Sequence, residues 1–350
     1  MPHGILGRTG IHTGPLGLGG LFTSALGGGL AAARRILRVA VDSGIRYIDT
    51  APGYADSEEI LGRALRDIDE PFIISTKLGG RPQPFDPRDP AALVASVETS
   101  LKLLDREVID VLLIHEPDRP GQYPWWTGYD PVTGPVLEAI EALRRAGKVR
   151  FAGLAGTTTS ELTGLIEATD LDVLLTAFNC NVLYREADDE LIPAASRRGM
   201  GIIAGSIYGQ GFLGRRFDAE LRHRPLWMSA RRRRQFLALY ALLDAAGLDI
   251  VEACVRFMLA HPLLSTILVG AKSAEQLQAT LAHAEKGPLS ADVVARLDEI
   301  AAMLPGRPFE EPMILPLGKT YHGPGMANVG AGPAVGRLPA ADPRRQPDGP

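Results

Sequence analysis

Short apolar runs alternate with stretches of helical period from about Pro15 to Met303, and this alternation limits what the chain can fold into. The apolar runs cover residues 15–21, 45–49, 72–77, 108–115, 149–154, 171–178, 201–206 and 265–270. Between them lie amphipathic stretches at 31–43, 57–66, 90–104, 136–146, 160–168 and 188–198. Two more follow at 230–246 and 250–260, and a last pair at 273–284 and 290–303. Pro90 sits in a first turn and Gly44 and Gly147 close two helices, as the capping rules expect. Val108 to His115 is nearly all apolar, the pattern of a strand covered on both faces. Eight such strands separated by helices predict an α/β protein of the closed (β/α)8 TIM-barrel type, with extra helices and long loops at the catalytic face. An open doubly wound sheet is the alternative. From about Leu315 the chain turns to Gly, Pro, Ala and scattered charge without any hydrophobic period. The expected division is therefore a barrel over 1–312 and a disordered tail over 313–350.

Composition narrows the classes. A chain of 350 residues, 45% of them hydrophobic, can bury a large core, and a net charge of −4 gives no reason to expect nucleic acid. Cys180 and Cys254 form neither a disulfide framework nor a metal pattern, so reduced thiols are expected. His3, His12, His223, His283 and His322 have no ligand-like spacing, and no metal is expected. No secretory leader is visible and no stretch of about 18 apolar residues could cross a membrane. These signs point to a cytoplasmic protein; they leave the oligomeric state open.

Three successive strand ends carry the chemistry. The second strand ends in Asp49, and Tyr54 follows on the loop that leaves it. The third ends in Lys77 and the fourth in His115. In a parallel barrel these positions share one face. A carbonyl that accepts a hydride needs a proton, and a phenol with an ordinary pKa near 10 is a poor donor at neutral pH. A lysine ammonium beside the phenol should lower that pKa. A carboxylate can hold the lysine, and a histidine can orient the carbonyl oxygen. The first strand, Pro15 to Leu21, is glycine-rich but lacks the G-x-G-x-x-G spacing, which excludes a Rossmann reading.

The motifs together resemble the aldo-keto reductases, from Gly7 to about Leu304. They are D-T-A-x-x-Y with S-E-x-x-L-G-x-A-L after it, S-T-K, D-x-x-x-I-H, G-K-V-R, and V-G-A-K-S-x-E-Q. The resemblance implies that Asp49, Tyr54, Lys77 and His115 are a catalytic tetrad with Tyr54 as general acid–base. It also implies a nicotinamide dinucleotide across the barrel mouth. The cofactor residues carried over are Gly20, Leu21, Ala155, Gly156, Ser206, Tyr208, Gly211, Gly270, Lys272, Ser273 and Gln276. The chain departs from the family at Ala155-Gly156, where Ser-Asn usually stands, at Leu175-Thr176, where a Gln is usual, and at Ala279-Thr280, where Glu-Asn is usual. Its Gly153 to Gly156 resembles the branch of L-galactose, L-fucose and D-threo-aldose 1-dehydrogenases.

That branch often uses NAD, whereas a cation at Lys272 suits a 2′-phosphate and favours NADP. Phe22, Trp125, Trp126 and Trp227 are the expected substrate contacts, set against loop packing as the alternative for the tryptophans. The activity implied is hydride transfer between the nicotinamide and a carbonyl or the anomeric carbon of an aldose. A general NADPH-dependent aldehyde or ketone reductase is the alternative within the class. A cofactor-binding regulatory protein with little turnover is the alternative outside it. Arg231 to Arg234 read as a solvated helix start, and His261 as a helix end.

Overall fold

The computed structural model describes residues 4–82, 85–225, 227–307, 311–312 and 314–319. In chain order the elements are β1 (Leu16–Gly19), α1 (Gly29–Asp42), β2 (Tyr47–Asp49), α2 (Ser57–Leu65), β3 (Ile73–Leu78), α3 (Pro90–Leu104) and β4 (Ile109–His115). Then come a small hairpin of β5 (Gly128–Tyr129) and β6 (Val132–Thr133), α4 (Pro135–Arg145), β7 (Val149–Gly156), α5 (Thr159–Ala168) and β8 (Val173–Ala177). The second half continues with α6 (Glu186–Asp189), α7 (Leu191–Arg197), β9 (Gly201–Gly205), α8 (Asp218–His223), α9 (Ala230–Ala246) and α10 (Ile250–Leu259). It ends with β10 (Thr266–Val269), α11 (Ala274–Glu285) and α12 (Ala291–Ala302). Strands β1-β10-β9-β8-β7-β4-β3-β2 close into one parallel barrel. The barrel itself has no edge strand, so each of its strands is paired on both sides.

The expected alternation is the one observed, and the misses have physical causes. The segment expected as one helix over 188–198 is two short ones. Pro193 has no N–H to give, and its ring would clash with the carbonyl of Asp189, the last residue of α6. The long segments after β4 and β9 hold the β5–β6 hairpin and α8, both too short to carry a visible period.

Three apolar clusters hold the molecule together. Tyr47, Val111, Leu113, Val173, Leu175, Ile203 and Leu268 fill the barrel. Leu6 from the N-terminal turn joins them. A β-carbon on Gly201 would strike the Leu6 side chain, so the turn plugs the end of the barrel where β9 begins. Ile48, Leu112, Ile114 and Leu154 belong to the shell between strands and helices, where Cys180 is also buried. This division of β4 between two apolar environments explains its continuous apolar run.

A third cluster, with Phe212, Phe236, Leu239, Tyr240 and Cys254, packs α9, α10 and α12 together. Leu315 and Leu317 complete it. The packed chain therefore extends past the expected boundary at 312 to at least Leu317. Residues 320–350 of the expected tail lie outside the described residues.

The arginine run at 231–234 does begin a helix, capped by Ser229, whose Oγ accepts from the Arg232 N–H at 3.0 Å. It is not all solvated. Arg232 is fully buried and paired in both directions with Glu311, at 2.7 and 2.6 Å. Its guanidinium also lies over the Tyr184 ring at 4.7 Å.

Candidate active site

The parallel barrel brings the ends of β2, β3 and β4 side by side, in register Asp49↔Ser75 and Lys77↔Leu113. Lys77 is buried there. Its Nζ donates to Asp49 Oδ2 at 2.7 Å and to the Thr50 carbonyl at 2.7 Å. Ser75 Oγ donates to the other oxygen of Asp49 at 2.6 Å. The same ammonium stands 4.8 Å from the centroid of the Tyr54 ring. The Tyr54 and His115 rings meet edge to face, with centroids 6.2 Å apart. Both residues are half-buried, so each keeps one side toward the mouth. The four residues expected to act together are thus brought together.

Electrostatics decide what each can do. Burial raises the Tyr54 pKa above its ordinary value; the Lys77 charge opposes this, and the Asp49 charge adds to it. The lowering expected from Lys77 is present but outweighed, because the phenol is also taken out of water beside a carboxylate. Burial works against the Lys77 charge, yet Asp49 and Tyr54 hold its pKa above the usual lysine value. The lysine is therefore a fixed cation. Burial, with the charges of Lys77 and Arg119, lowers the His115 pKa to about 3, so the imidazole is neutral at working pH. A neutral imidazole can donate one hydrogen bond to a substrate oxygen without adding charge.

The motif after Tyr54 has a structural reason as well. Ser57 Oγ donates to the Gly20 carbonyl at 2.7 Å, tying the start of α2 to the chain after β1. Glu58 accepts from Thr76 Oγ1 at 2.7 Å and pairs with Arg81 at 2.9 Å, which steadies the strand that carries Lys77.

The remaining expected positions fall into groups. The tips of β9, β10 and β1 are neighbours around the barrel, because β10 pairs with both of the others. Ser206, Tyr208 and Gly211 follow β9, Gly270 to Gln276 follow β10, and Gly20 to Phe22 follow β1. Lys272 Nζ lies over the Phe22 ring at 4.9 Å, so the tips of β10 and β1 touch. Ser273 caps α11, its Oγ accepting from the Gln276 N–H at 3.3 Å.

This stretch of rim fits the adenosine and pyrophosphate end of a dinucleotide. Lys272 has no ion-pair partner among the described residues, and α11 begins beside it. A β-carbon on Gly270 would meet only the edge of Phe22, at 3.6 Å, while Gly209 and Gly211 take positive φ. Ser206 and Gln210 are also left-handed, with φ of 54° and 52°. Strained non-glycine residues of this kind persist where surrounding structure fixes them.

Ala155 and Gly156 end β7, on the far side of the mouth. Ala155 faces the barrel interior with Leu175. Trp125 and Trp126 are both buried. Their indoles donate to the carbonyls of His115 at 3.0 Å and Pro117 at 2.9 Å, so they pin the loop after β4. Trp125 also packs on Phe85 and Tyr123. Trp227 is half-buried against the α9–α12 cluster. Trp125 and Trp126 thus anchor the loop, and Phe22 is the expected substrate residue that lies at the rim.

Reading the sequence did not single out Glu116 or Asp118. Glu116 is buried, takes φ of 51°, and has its pKa raised by burial against the opposing charge of Arg119. Asp118 Oδ2 accepts from the N–H groups of Thr157 and Thr158 at 2.9 and 2.6 Å, while Oδ1 is buried without a partner. Only the acidic pair after the strand end hinted at them. Away from the mouth, Cys180, Asp188 and His261 bring one potential ligand atom each within 4.8 Å of the others. Asp188 accepts from the Cys180 thiol at 3.8 Å and meets His261 Nε2 at 3.1 Å, which satisfies the three groups locally.

The Aldo/keto reductase family model matches residues 16–302, and the chain belongs to that family. Its members are oxidoreductases acting on CH–OH and C=O groups with nicotinamide dinucleotides. A pyridoxal 4-dehydrogenase of Microbacterium luteolum is 30% identical over 318 residues, covering 78% of this chain and 90% of its own. A D-threo-aldose 1-dehydrogenase of a Pseudomonas species is 27% identical over 276 residues, covering 69% and 80%. A solved aldo-keto reductase of Bacillus halodurans, in its holo form, superposes with a TM-score of 0.70 at 23% identity. It covers 87% of this chain and 98% of its own. Among the described residues no helix is long and apolar enough to cross a membrane.

Proposed function

We propose that the protein is an NADP-linked dehydrogenase of aldoses, oxidising the anomeric hydroxyl and able to run in reverse on carbonyls. The observation that carries the chemistry is Lys77, pinned by Asp49 and Thr50 while its ammonium faces Tyr54 at 4.8 Å. A nicotinamide dinucleotide held across the mouth would supply or accept the hydride. In oxidation the Tyr54 phenolate takes the hydroxyl proton as hydride leaves the same carbon, and a cyclic aldose becomes a lactone. In reduction the Tyr54 phenol gives that proton to the carbonyl oxygen. Lys77 stabilises the phenolate form, Asp49 holds Lys77, and the neutral His115 orients the oxygen.

The aldose reading is supported by Ala155-Gly156, a departure that resembles the sugar-dehydrogenase branch, and by the named activities of the relatives. Burial of Trp125 and Trp126 removes the main support for a general aldehyde reductase with an aromatic-walled pocket. The preference for NADP is supported by the ammonium of Lys272, which has no ion-pair partner among the described residues. Two buried free thiols suit a reducing, cytoplasmic setting.

The test is an absorbance assay with an aldose panel and NADP, and an aldehyde panel with NADPH, on the wild type and on Tyr54→Phe. Wild-type oxidation of aldoses, reduced at least a thousandfold in Tyr54→Phe with dinucleotide binding kept, is the expected result. Turnover unchanged in Tyr54→Phe would sink the mechanism. Tight dinucleotide binding without turnover on either panel would favour the regulatory alternative.

A further inference from the structure

The C-terminal segment does not end on the third apolar cluster; it reaches the rim of the barrel. Four contacts fix its course. Glu311 pairs with the buried Arg232 at 2.6 and 2.7 Å. Leu315 and Leu317 are buried against α9 and α12 neighbours. The Gly318 N–H donates to Glu220 Oε2 at 2.8 Å. Lys319 Nζ then donates to the Gln210 carbonyl at 3.1 Å, in the left-handed turn that follows β9.

This places Lys319 beside the turn at the tip of β9, and β9 pairs with β10, whose tip carries Lys272. Like Lys272, Lys319 has no ion-pair partner among the described residues. Lys319 and Lys272 are both exposed on this stretch of rim, and desolvation and then the Lys272 charge lower the Lys319 pKa. Glu220 Oε2 accepts from the Gly318 N–H and forms an ion pair with neither ammonium. Two cations on one stretch of rim, neither ion-paired among the described residues, are unfavourable until an anion joins them. The start of α11, 12 residues long, adds its positive end at the same place.

We propose that Lys319 and Lys272 together hold the 2′-phosphate of NADP, so that the C-terminal segment is a clasp at the adenosine end of the cofactor. The inference rests on reading the barrel mouth as a dinucleotide site. A phosphate monoester carries −1.5 to −2 charges at neutral pH, which matches two unpaired ammoniums. The pyrophosphate is common to NAD and NADP, so a contact there would not distinguish them. The gain for the protein is selectivity, with one lysine on a barrel loop and the other on a segment anchored elsewhere.

The test is direct binding, followed by fluorescence, of NADPH, NADH and 2′-AMP to the wild type, Lys319→Ala, Lys319→Arg and Lys272→Ala. Lys319→Ala should weaken NADPH and 2′-AMP by at least fivefold and leave NADH within twofold, while Lys319→Arg keeps most of the NADPH affinity. Lys272→Ala should show the same selectivity. Equal loss of NADPH and NADH in Lys319→Ala would move the contact to the pyrophosphate and overturn the proposal. So would unchanged NADPH binding in Lys319→Ala, with the mouth still a dinucleotide site. A wild type that binds neither dinucleotide would overturn the site reading itself, and the clasp with it.

Discussion

Asp118 Oδ1 occupies the place where a β-carbon on Gly156 would lie, with Leu162 Cδ2 closing the other side at 2.8 Å. The missing family asparagine at 156 and the acidic residue at 118 are thus one arrangement. The carboxylate fills the space a side chain would need, and its second oxygen holds the N–H groups of Thr157 and Thr158 that lead into α5. Gly156→Asn should therefore overpack the tip of β7 and cost about 2 kcal/mol. Asp118→Ser should cost about 1.5 kcal/mol through weakened hydrogen bonds. The double variant should be more stable than the sum by at least about 0.5 kcal/mol, because the serine makes room for the asparagine. Urea unfolding of the four proteins measures this. Strict additivity would show that the two positions do not share the space.

The Tyr54 pKa is raised by burial and pulled back by Lys77, which fixes how rates should depend on pH. Reduction needs the phenol, so it is fully available below the Tyr54 pKa and is lost as pH rises through it. Oxidation needs the phenolate and gains with pH until the same pKa. Lys77→Met removes the downward pull, so the oxidation limb should move up by at least one pH unit. At a fixed pH on that limb the rate falls at least about tenfold, the fraction of phenolate lost per unit. Asp49 then lacks its partner, so the position of the limb in kcat, and not its plateau, is the readout. A lower plateau with an unmoved limb would make Lys77 a scaffold only.

The barrel and the tetrad were legible because each rests on local sequence. Continuous apolar runs such as 108–115 mark strands buried on both faces, and Asp49, Tyr54, Lys77 and His115 lie at or just after strand ends. What was not legible depends on contacts far apart in the chain. Arg232 looks solvated among four arginines, and only the arrival of Glu311, 79 residues later, shows that it is core. The orientation of the tryptophans could not be read because an indole suits a pocket wall and a loop anchor equally. The carbonyls of His115 and Pro117 take up the indole N–H groups of Trp125 and Trp126 and hold those two in the loop. The sign of the Tyr54 shift was missed for a related reason. Its cationic neighbour is visible in the sequence, whereas its burial is a property of the assembled mouth.

His115 makes the fold sensitive to acid. Its pKa is about 3 in the fold against 6.5 for an ordinary histidine, because burial and the charges of Lys77 and Arg119 disfavour the cation. Below 6.5 the unfolded chain takes up a proton that the folded chain refuses. Stability therefore falls with falling pH, by up to about 1.4 kcal/mol per unit from this one group, until the folded histidine titrates. His115→Gln should remove that contribution. The stability of the variant, measured by urea unfolding between pH 6 and 4.5, should decline less steeply than that of the wild type. Parallel curves would show that the imidazole is already charged in the fold.

Arg232 and Glu311 form the buried ion pair on which the C-terminal segment hangs. Both lie out of water, joined by two parallel hydrogen bonds, with Gln235 as a further partner of the guanidinium. Removing one member leaves a buried charge uncompensated, which costs about 3–5 kcal/mol, whereas replacing both with apolar residues of similar volume is often neutral. Glu311→Ala should therefore lower the unfolding free energy by about 3 kcal/mol or more, and Arg232→Met with Glu311→Leu should recover most of it. The two variants also separate stability from position. Hydrogen exchange at the amides of Leu315, Leu317 and Gly318 should speed up in Glu311→Ala and return toward the wild type in the double variant. If exchange there stays fast in the double variant while global stability is restored, the ion pair sets the course of the segment and not merely its strength.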